Sequence, residues 1–424
     1  MPVPVNCNHV CQTVSSFFKG YLQLLRKYDT LVGQAAESIR VQDALLEQEA
    51  DLIYELISRR STMNNWEKNV RKVVPYTPGE QPSDEKMIKL NTNENPYPPA
   101  PGVQKVLQEM DGRDLRLYPD PSIHVLTKAI ADSYGLDTNQ VFVGVGSDDV
   151  LAMSFLAFFN SDKPVLFPDI TYSFYDVWAD LFRIPYRCPE LDEEFCICKE
   201  DYLVENGGIV IANPNAPTGV EMELSDLEEI ISANPSSVVI VDEAYVDFGA
   251  RSALGLIEKY DNLLVVQTFS KSRSLAGMRI GFACGNPTLI RYLLDVKYSI
   301  NSYTMNSAAI AAGAEAMKDW DYFREHCEKI VVTREWTKEK LGELGFSFPD
   351  SSTNFIFAKH ERVPAAELFA ALRDAHIYVR HFDRPRISEY LRITIGTREQ
   401  METFIAFLEK YLSSKDHPEK SMEA

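Results

Sequence analysis

The sequence predicts an α/β fold: a large domain with a mostly parallel sheet plus a smaller α+β domain, preceded by a helical N-terminal extension. Three observations predict it. Six short apolar runs between residues 141 and 283 alternate with helical patterns, as strands buried on both faces of a parallel sheet do. Beyond about Ser302, long helical patterns precede three strand-like pieces. Ahead of both, residues 1–62 carry amphipathic spacing with few helix breakers.

The extension comes first. From Ser15 to Arg60 there is no proline, and only Gly20 and Gly33 interrupt. Leu24, Tyr28, Leu31 and Ala35, then Leu45, Leu52 and Leu56, fall at three-, four- and seven-residue spacings, which predicts two amphipathic helices. A hairpin used for packing fits that pattern. So does a DNA-binding head, although Asp43, Glu47, Glu49, Asp51 and Glu55 crowd the second helix with acid. Met63 as the true start of the protein is a third expectation.

Composition changes from Asn64. Residues 73–79 and 91–99 are proline-rich and irregular, an ordered arm rather than a core element. Residues 116–121 (Arg-Leu-Tyr-Pro-Asp-Pro) form another turn, with Tyr118 in it. Strands are expected at 141–143, 164–167, 209–212, 238–241, 263–266 and 280–283, with helices from Ser147 and over 172–182. Three more strands are expected at 354–358, 377–380 and 391–395, and a closing helix over 397–412. The expected domains are therefore 1–62 (extension), 97–302 (large), and 63–96 with 303–413 (small), followed by a frayed tail at 414–424.

A length of 424 residues fits two or three domains with a large buried core. A hydrophobic fraction of 45% and a charged fraction of 25% are those of an ordinary soluble globular protein. The formal net charge of −19 argues against nonspecific binding to nucleic acid or to an anionic membrane. Anionic substrates remain open, because a local arginine cluster dominates its own pocket. The seven cysteines are odd in number and scattered, and Cys196-Ile197-Cys198 lacks the two-residue gap of a zinc knuckle or redox pair. Reduced structural thiols in a cytoplasmic protein without a metal centre are the expectation. No apolar run approaches the roughly 18 residues that span a bilayer, and the N-terminus lacks the layout of a secretory signal.

Strand exits are where an open α/β sheet places its ligand site. After the 263–266 run come Ser270, Lys271 and, eight residues beyond the lysine, Arg279. A lysine there can form a Schiff base if burial and cationic neighbours lower its pKa, while a hydroxyl and a planar guanidinium suit a phosphate. Lysine plus phosphate clamp points to pyridoxal phosphate; a solvated loop fits the same stretch. Gly144-Val145-Gly146-Ser147-Asp148 offers free N–H groups at a helix start. Residues 213–219 (Asn-Pro-Asn-Ala-Pro-Thr-Gly) form a loop fixed by two prolines. Asp242 follows a fully apolar strand, where an unpaired carboxylate is costly and a protonated pyridine nitrogen is a suitable partner. Tyr245 is placed to hydrogen-bond that ring's phenolic oxygen, and Tyr172 to stack on the ring. Arg380 and Arg392 are candidate clamps for a substrate anion.

Taken in order, these motifs and the Leu391-Arg392-Ile393-Thr394 run resemble the fold-type-I pyridoxal-phosphate aminotransferases, and among them the histidinol-phosphate aminotransferase group, over about residues 64–412. The resemblance implies pyridoxal 5′-phosphate as cofactor, Lys271 as the Schiff-base lysine and proton carrier, and Asp242 at the pyridine nitrogen with Tyr245 at the 3′-oxygen. It implies Tyr172 on the ring, with Ser147, Asp148, Ser270 and Arg279 on the cofactor phosphate. Tyr118 is similar to a residue that reaches the neighbouring subunit's cofactor, which implies a homodimer with shared sites. Tyr76, Asn354, Arg380 and Arg392 are similar to residues that receive the substrate's phosphate or carboxylate. One departure stands out: the family's asparagine before Pro-Thr-Gly is Ala216 here, and Asn215 is the candidate to replace it.

The implied reaction converts histidinol phosphate and 2-oxoglutarate into imidazole-acetol phosphate and glutamate, a step of histidine biosynthesis, with no nucleic-acid or membrane partner. The same framework serves threonine-phosphate decarboxylases and aromatic aminotransferases. A pyridoxal-phosphate-binding regulator with a DNA-binding head would explain the extension, but no basic, turn-containing recognition helix is visible in it.

Overall fold

The computed structural model describes residues 65–416, apart from 78 and 83–85. The two helices expected within 1–62 and the tail beyond 416 lie outside the described residues. The chain divides into two compact units, one ending at Lys72 and one beginning at Val73. Of the first, the described part is a short 3-10 turn, Asn65–Asn69, and the residues after it.

The second unit opens with β1 (Ile88–Lys89), α1 (Pro101–Gln108) and α2 (His124–Tyr134). Then β2 (Val141–Gly144), α3 (Ser147–Phe158), β3 (Val165–Leu166), α4 (Tyr175–Phe182), β4 (Tyr186–Arg187) and β5 (Gly208–Ala212) follow. After α5 (Leu224–Ala233) come β6 (Val239–Asp242), β7 (Leu263–Thr268) and β8 (Gly281–Gly285). These strands make a seven-stranded sheet in the order β2-β8-β7-β6-β5-β3-β4, parallel except for β8, which runs antiparallel to both neighbours.

The strands lack the alternation of a half-exposed sheet because both faces are covered. Ile209, Ile211, Val239 and Val241 pack on one side with α2, α5 and the later residues Ala309, Ile310 and Ala312, while Val210, Ala212, Ile240 and Leu264 pack on the other with α3 and α4. Helix ends follow local chemistry: Gly135, at φ 69°, caps the C-terminus of α2. Asn286 accepts from Thr288 N at the start of α6 (Pro287–Ile300), and Asn306 caps α7 (Ser307–Ala316) through Ala309 N.

The rest is α8 (Trp320–Glu343), β9 (Phe346–Ser347), β10 (Phe355–His360), α9 (Ala365–Asp374), β11 (Ile377–Tyr378), β12 (Arg380–His381), β13 (Leu391–Thr394) and α10 (Arg398–Asp416). An antiparallel sheet in the order β12-β13-β10-β9 has its own core of Ile356, Leu391, Ile393, Phe404 and neighbours. The arm joins it: β1 pairs in parallel with β11, and Leu90 is buried in the same core.

The single strand expected at 377–380 is two strands. β11 serves β1 while β12 pairs with β13, so the run divides at Val379 between two partners. The helix expected over 172–182 starts at Tyr175, because the preceding residues leave β3 as a loop.

Candidate active site

The parallel strands of the large sheet end at one edge, and the loops leaving that edge surround a cleft of about 230 Å³. Lys271 enters it three residues after β7. Phe269 N donates to Ile280 O, and Leu275 N donates to Phe269 O, each at 3.0 Å, which folds the loop back onto β8. Asn95 Nδ2 donates to the carbonyls of both Lys271 and Ser272 at 3.1 Å. The Lys271 Nζ donates to Thr92 O at 3.0 Å and lies 5.7 Å from the centre of the Tyr245 ring. Burial pulls this amine down to about 8, with Arg392 and Arg279 adding to the effect and Glu94 and Asp148 opposing it.

Asp242 is the last residue of β6 and 5% exposed. Its Oδ2 accepts from Tyr175 Oη at 2.7 Å and its Oδ1 from Ala244 N at 3.2 Å. Burial nevertheless raises its carboxyl to about 6. Among the described residues no cation pairs with it. A lysine tuned toward neutrality and an acid awaiting a positive partner thus share one space.

Opposite them, β2 leads through Gly146, at φ 87°, into the N-terminus of α3 at Ser147. A Cβ on Gly146 would run into the Arg279 guanidinium, and one on Gly281 into the main chain of Gly146 and Ser147. Arg279 Nη1 donates to Ser270 Oγ at 3.4 Å and Nη2 to Asp148 Oδ2 at 3.2 Å. Tyr172 Oη donates to Asp148 Oδ1 at 2.7 Å; burial, then Asp148, raises its pKa. Hydroxyl, guanidinium and a helix start converge here, a combination that holds phosphate oxygens.

Arg380 and Arg392 face each other across the β12–β13 register, and both line the cleft. The Arg392 Nη2 donates to Asn91 O at 3.1 Å, while its buried Nε has no partner among the described residues. Burial lowers its pKa, and Arg380 adds to the effect. Tyr76 lines the same space and stacks on Phe174 at 4.3 Å.

Three expected residues sit elsewhere. Asn215 is a correction: its Nδ2 donates to Ile170 O and Thr218 Oγ1, and its Oδ1 accepts from Thr171 Oγ1. The amide is consumed in holding its own loop, and it is Ala216 that lines the cleft. Asn354 lies behind the wall, fully buried, with Nδ2 donating to Asn93 O at 3.1 Å and Oδ1 without a partner among the described residues. Tyr118 is 81% exposed and stacks on Tyr303 at 4.6 Å, away from the cleft.

Thr92, Asn93 and Glu94 line the cleft although the sequence marked their stretch only as an arm. Their signal was available: a polar run between prolines has no surface-turn role that calls for so many amides and acids.

The family profile "Aminotransferase class I and II" matches residues 85–408. A histidinol-phosphate aminotransferase of Lactococcus lactis subsp. cremoris (strain MG1363) is 52% identical over 352 residues, covering 83% of this chain and 99% of that one. Another, of Brachyspira hyodysenteriae, is 53% identical over 336 residues, or 79% and 95% of the two chains. The chain belongs to the class I and II aminotransferases. The histidinol-phosphate aminotransferase of Sinorhizobium meliloti, crystallised with pyridoxal-5′-phosphate, superposes on this aminotransferase with a TM-score of 0.68 at 22% identity, over 77% and 91% of the two chains. That likeness shows the shared fold.

Class I and II aminotransferases work with pyridoxal 5′-phosphate, and the cleft of this aminotransferase fits it. The carboxylate lacking a cation suits a protonated ring nitrogen, and the lowered lysine suits an aldehyde. The Ser270 hydroxyl, the Arg279 guanidinium and the start of α3 at Ser147, which line the cleft together, suit a phosphate.

Proposed function

We propose that this aminotransferase transfers the amino group of histidinol phosphate to 2-oxoglutarate, giving imidazole-acetol phosphate and glutamate, in histidine biosynthesis. One observation carries the reading: the half-buried Lys271 and the buried Asp242 share a cleft with two adjacent arginines, in a chain about half identical to curated histidinol-phosphate aminotransferases over nearly their whole length. Bound pyridoxal 5′-phosphate supplies the aldehyde that captures the amine and the ring that withdraws electrons from it.

The chain's own residues divide the work. Lys271 Nζ would hold the cofactor and, when free, would be the base that takes the proton from the substrate Cα. Asp242 keeps the ring nitrogen protonated, and Tyr245 gives a hydrogen bond to the 3′-oxygen. Tyr172 covers the ring face. Ser147 and Asp148 through their N–H groups, with Ser270 and Arg279, hold the cofactor phosphate. Arg380 and Arg392, with Tyr76 beside them, receive the phosphate monoester of one substrate and the carboxylate of the other, since a guanidinium fork accepts either planar pair of oxygens. Asn354 acts from behind, through Asn93.

In this reading 97–302 is the large domain and 63–96 with 303–413 the small one. The enzyme is a cytoplasmic homodimer in which Tyr118 reaches the neighbouring subunit's cofactor; the exposed Tyr118 and Tyr303 stack supports that contact. Among the described residues no helix is long and apolar enough to cross a membrane.

The test is a half-reaction followed by absorbance, with histidinol phosphate, threonine phosphate and phenylalanine in parallel. Histidinol phosphate should bleach the cofactor band fastest. Equal or faster bleaching by either of the others would overturn the substrate assignment.

A further inference from the structure

Ala216 brings no polar side chain to the cleft and the Asn215 amide is spent on its own loop, so neither offers the cofactor ring a donor. Tyr245 brings a hydroxyl to the same cleft, and a hydroxyl donates only where its proton points. We propose that Asn93 is a positioning residue that aims the Tyr245 proton into the cleft.

The geometry is fixed from several sides. Asn93 is 1% exposed and sits at φ 57°, a left-handed conformation that an asparagine tolerates. Its main-chain N–H donates to Thr394 Oγ1 at 3.0 Å, and Thr394 Oγ1 returns its proton to Asn93 Oδ1 at 3.0 Å. Its carbonyl accepts from Asn354 Nδ2. With Oδ1 turned to Thr394, the amide nitrogen faces Tyr245 and donates to its Oη at 2.9 Å. A phenol oxygen that accepts on one side keeps its own proton for another direction. Among the described residues no protein group accepts that proton, so the cleft receives it.

Resting on the Tyr245 role proposed above, the acceptor is the 3′-oxygen of the bound cofactor. A donor there favours the charged oxygen and so lowers the pH at which the lysine–cofactor linkage loses its proton. The charged and titratable groups around Tyr245 are Asp242 at the end of β6, Lys271 from the loop after β7, Arg392 from β13, Asp148 from α3, and Tyr172. They set the absolute midpoint and are common to all variants, so differences isolate Asn93.

The experiment titrates the visible absorption band of the holoenzyme with pH, without any amino donor. Asn93→Gly removes the amide while tolerating the positive φ. Its midpoint should rise by about half a unit to one unit, the equivalent of one net hydrogen bond. Asn93→Asp keeps the Thr394 bond but takes the Tyr245 proton for itself, and should raise the midpoint at least as far. In a Tyr245→Phe background, Asn93→Gly should add nothing. An unshifted midpoint, or the same shift with and without the Tyr245 hydroxyl, overturns the proposal. Should Asn93→Gly fail to fold, Asn93→Asp is compared with and without the Tyr245 hydroxyl, an equal shift in both backgrounds overturning the proposal. Because no substrate enters the measurement, its failure leaves the substrate assignment standing, and the reverse holds as well.

Discussion

Lys271 carries its chemistry in its surroundings. An amine held near 8 is about one-tenth neutral at pH 7 and mostly neutral at pH 9, whereas an ordinary lysine at about 10.4 stays charged throughout. Capture of pyridoxal phosphate by the cofactor-free protein should therefore accelerate with pH around a midpoint near 8, as read by stopped-flow absorbance. Borohydride followed by peptide mapping should leave the pyridoxyl tag on Lys271, and a tag on another lysine would refute the assignment. Asp242 gives a stability prediction with a definite sign. Its folded pKa, about 6, lies above the ordinary carboxylate value, so ionising it costs stability as pH rises through 6. In the cofactor-free protein, Asp242→Asn should match the parent near pH 4 and exceed it by about 1–3 kcal/mol at pH 7.5, from denaturant melts. A gap that shrinks with pH would mean the carboxylate is the favoured form. Both residues were legible because an amine and an acid placed directly after apolar strands have few bland uses. Asn215 was misjudged because adjacent side chains on a loop point different ways, and nothing in the one-dimensional order says which one turns inward.

Among the elements, β8 decides the phosphate side. Because it runs antiparallel between β2 and β7, its N-terminal end lies at the edge where the parallel strands finish. Arg279 therefore returns beside Ser270 and Gly146 instead of emerging at the far edge. The register pairs Gly281 with both Gly144 and Thr268, and main chain on the α3 side leaves no room for a Cβ. Gly281→Ala should push the start of α3 outward. We expect a loss of stability of about 1–3 kcal/mol and a weakening of cofactor affinity by roughly tenfold, measured by melting and by titration of the cofactor-free protein. Unchanged affinity would show that α3 takes no part in the cradle. Strands that lie in apolar runs could be read from those runs, but β1 (Ile-Lys), β4 (Tyr-Arg) and β9 (Phe-Ser) are two-residue pairings with one polar member each, too little for any periodicity to register.

For the molecule as a whole, the relatives are matched over 99% and 95% of their own lengths, while part of this chain has no counterpart in them. The unit boundary at Lys72 lies ahead of every residue assigned to the cleft. Removing residues 1–62 should leave turnover with histidinol phosphate intact, measured with 2-oxoglutarate as acceptor; lost turnover accompanied by DNA binding of the full chain would instead favour a regulator. Tyr118 tests the homodimer. Tyr118→Ala should weaken cofactor affinity while sparing the fold, since an 81%-exposed ring has little to give its own subunit. Equal affinity in the variant would remove it from any shared site.

The sequence by itself determined the alternation of buried strands and helices, and with it the sheet edge where ligand groups gather. It also determined the identities of the lysine, the acid and the arginines, because chemical type at a strand exit is a local property. Only the tertiary structure decided that the arm at 91–94 forms a wall of the cleft, that Arg380 and Arg392 lie side by side, and that Asn93 turns its amide toward Tyr245. Those facts depend on contacts between residues as many as 301 positions apart, and no local pattern encodes which distant partners will meet.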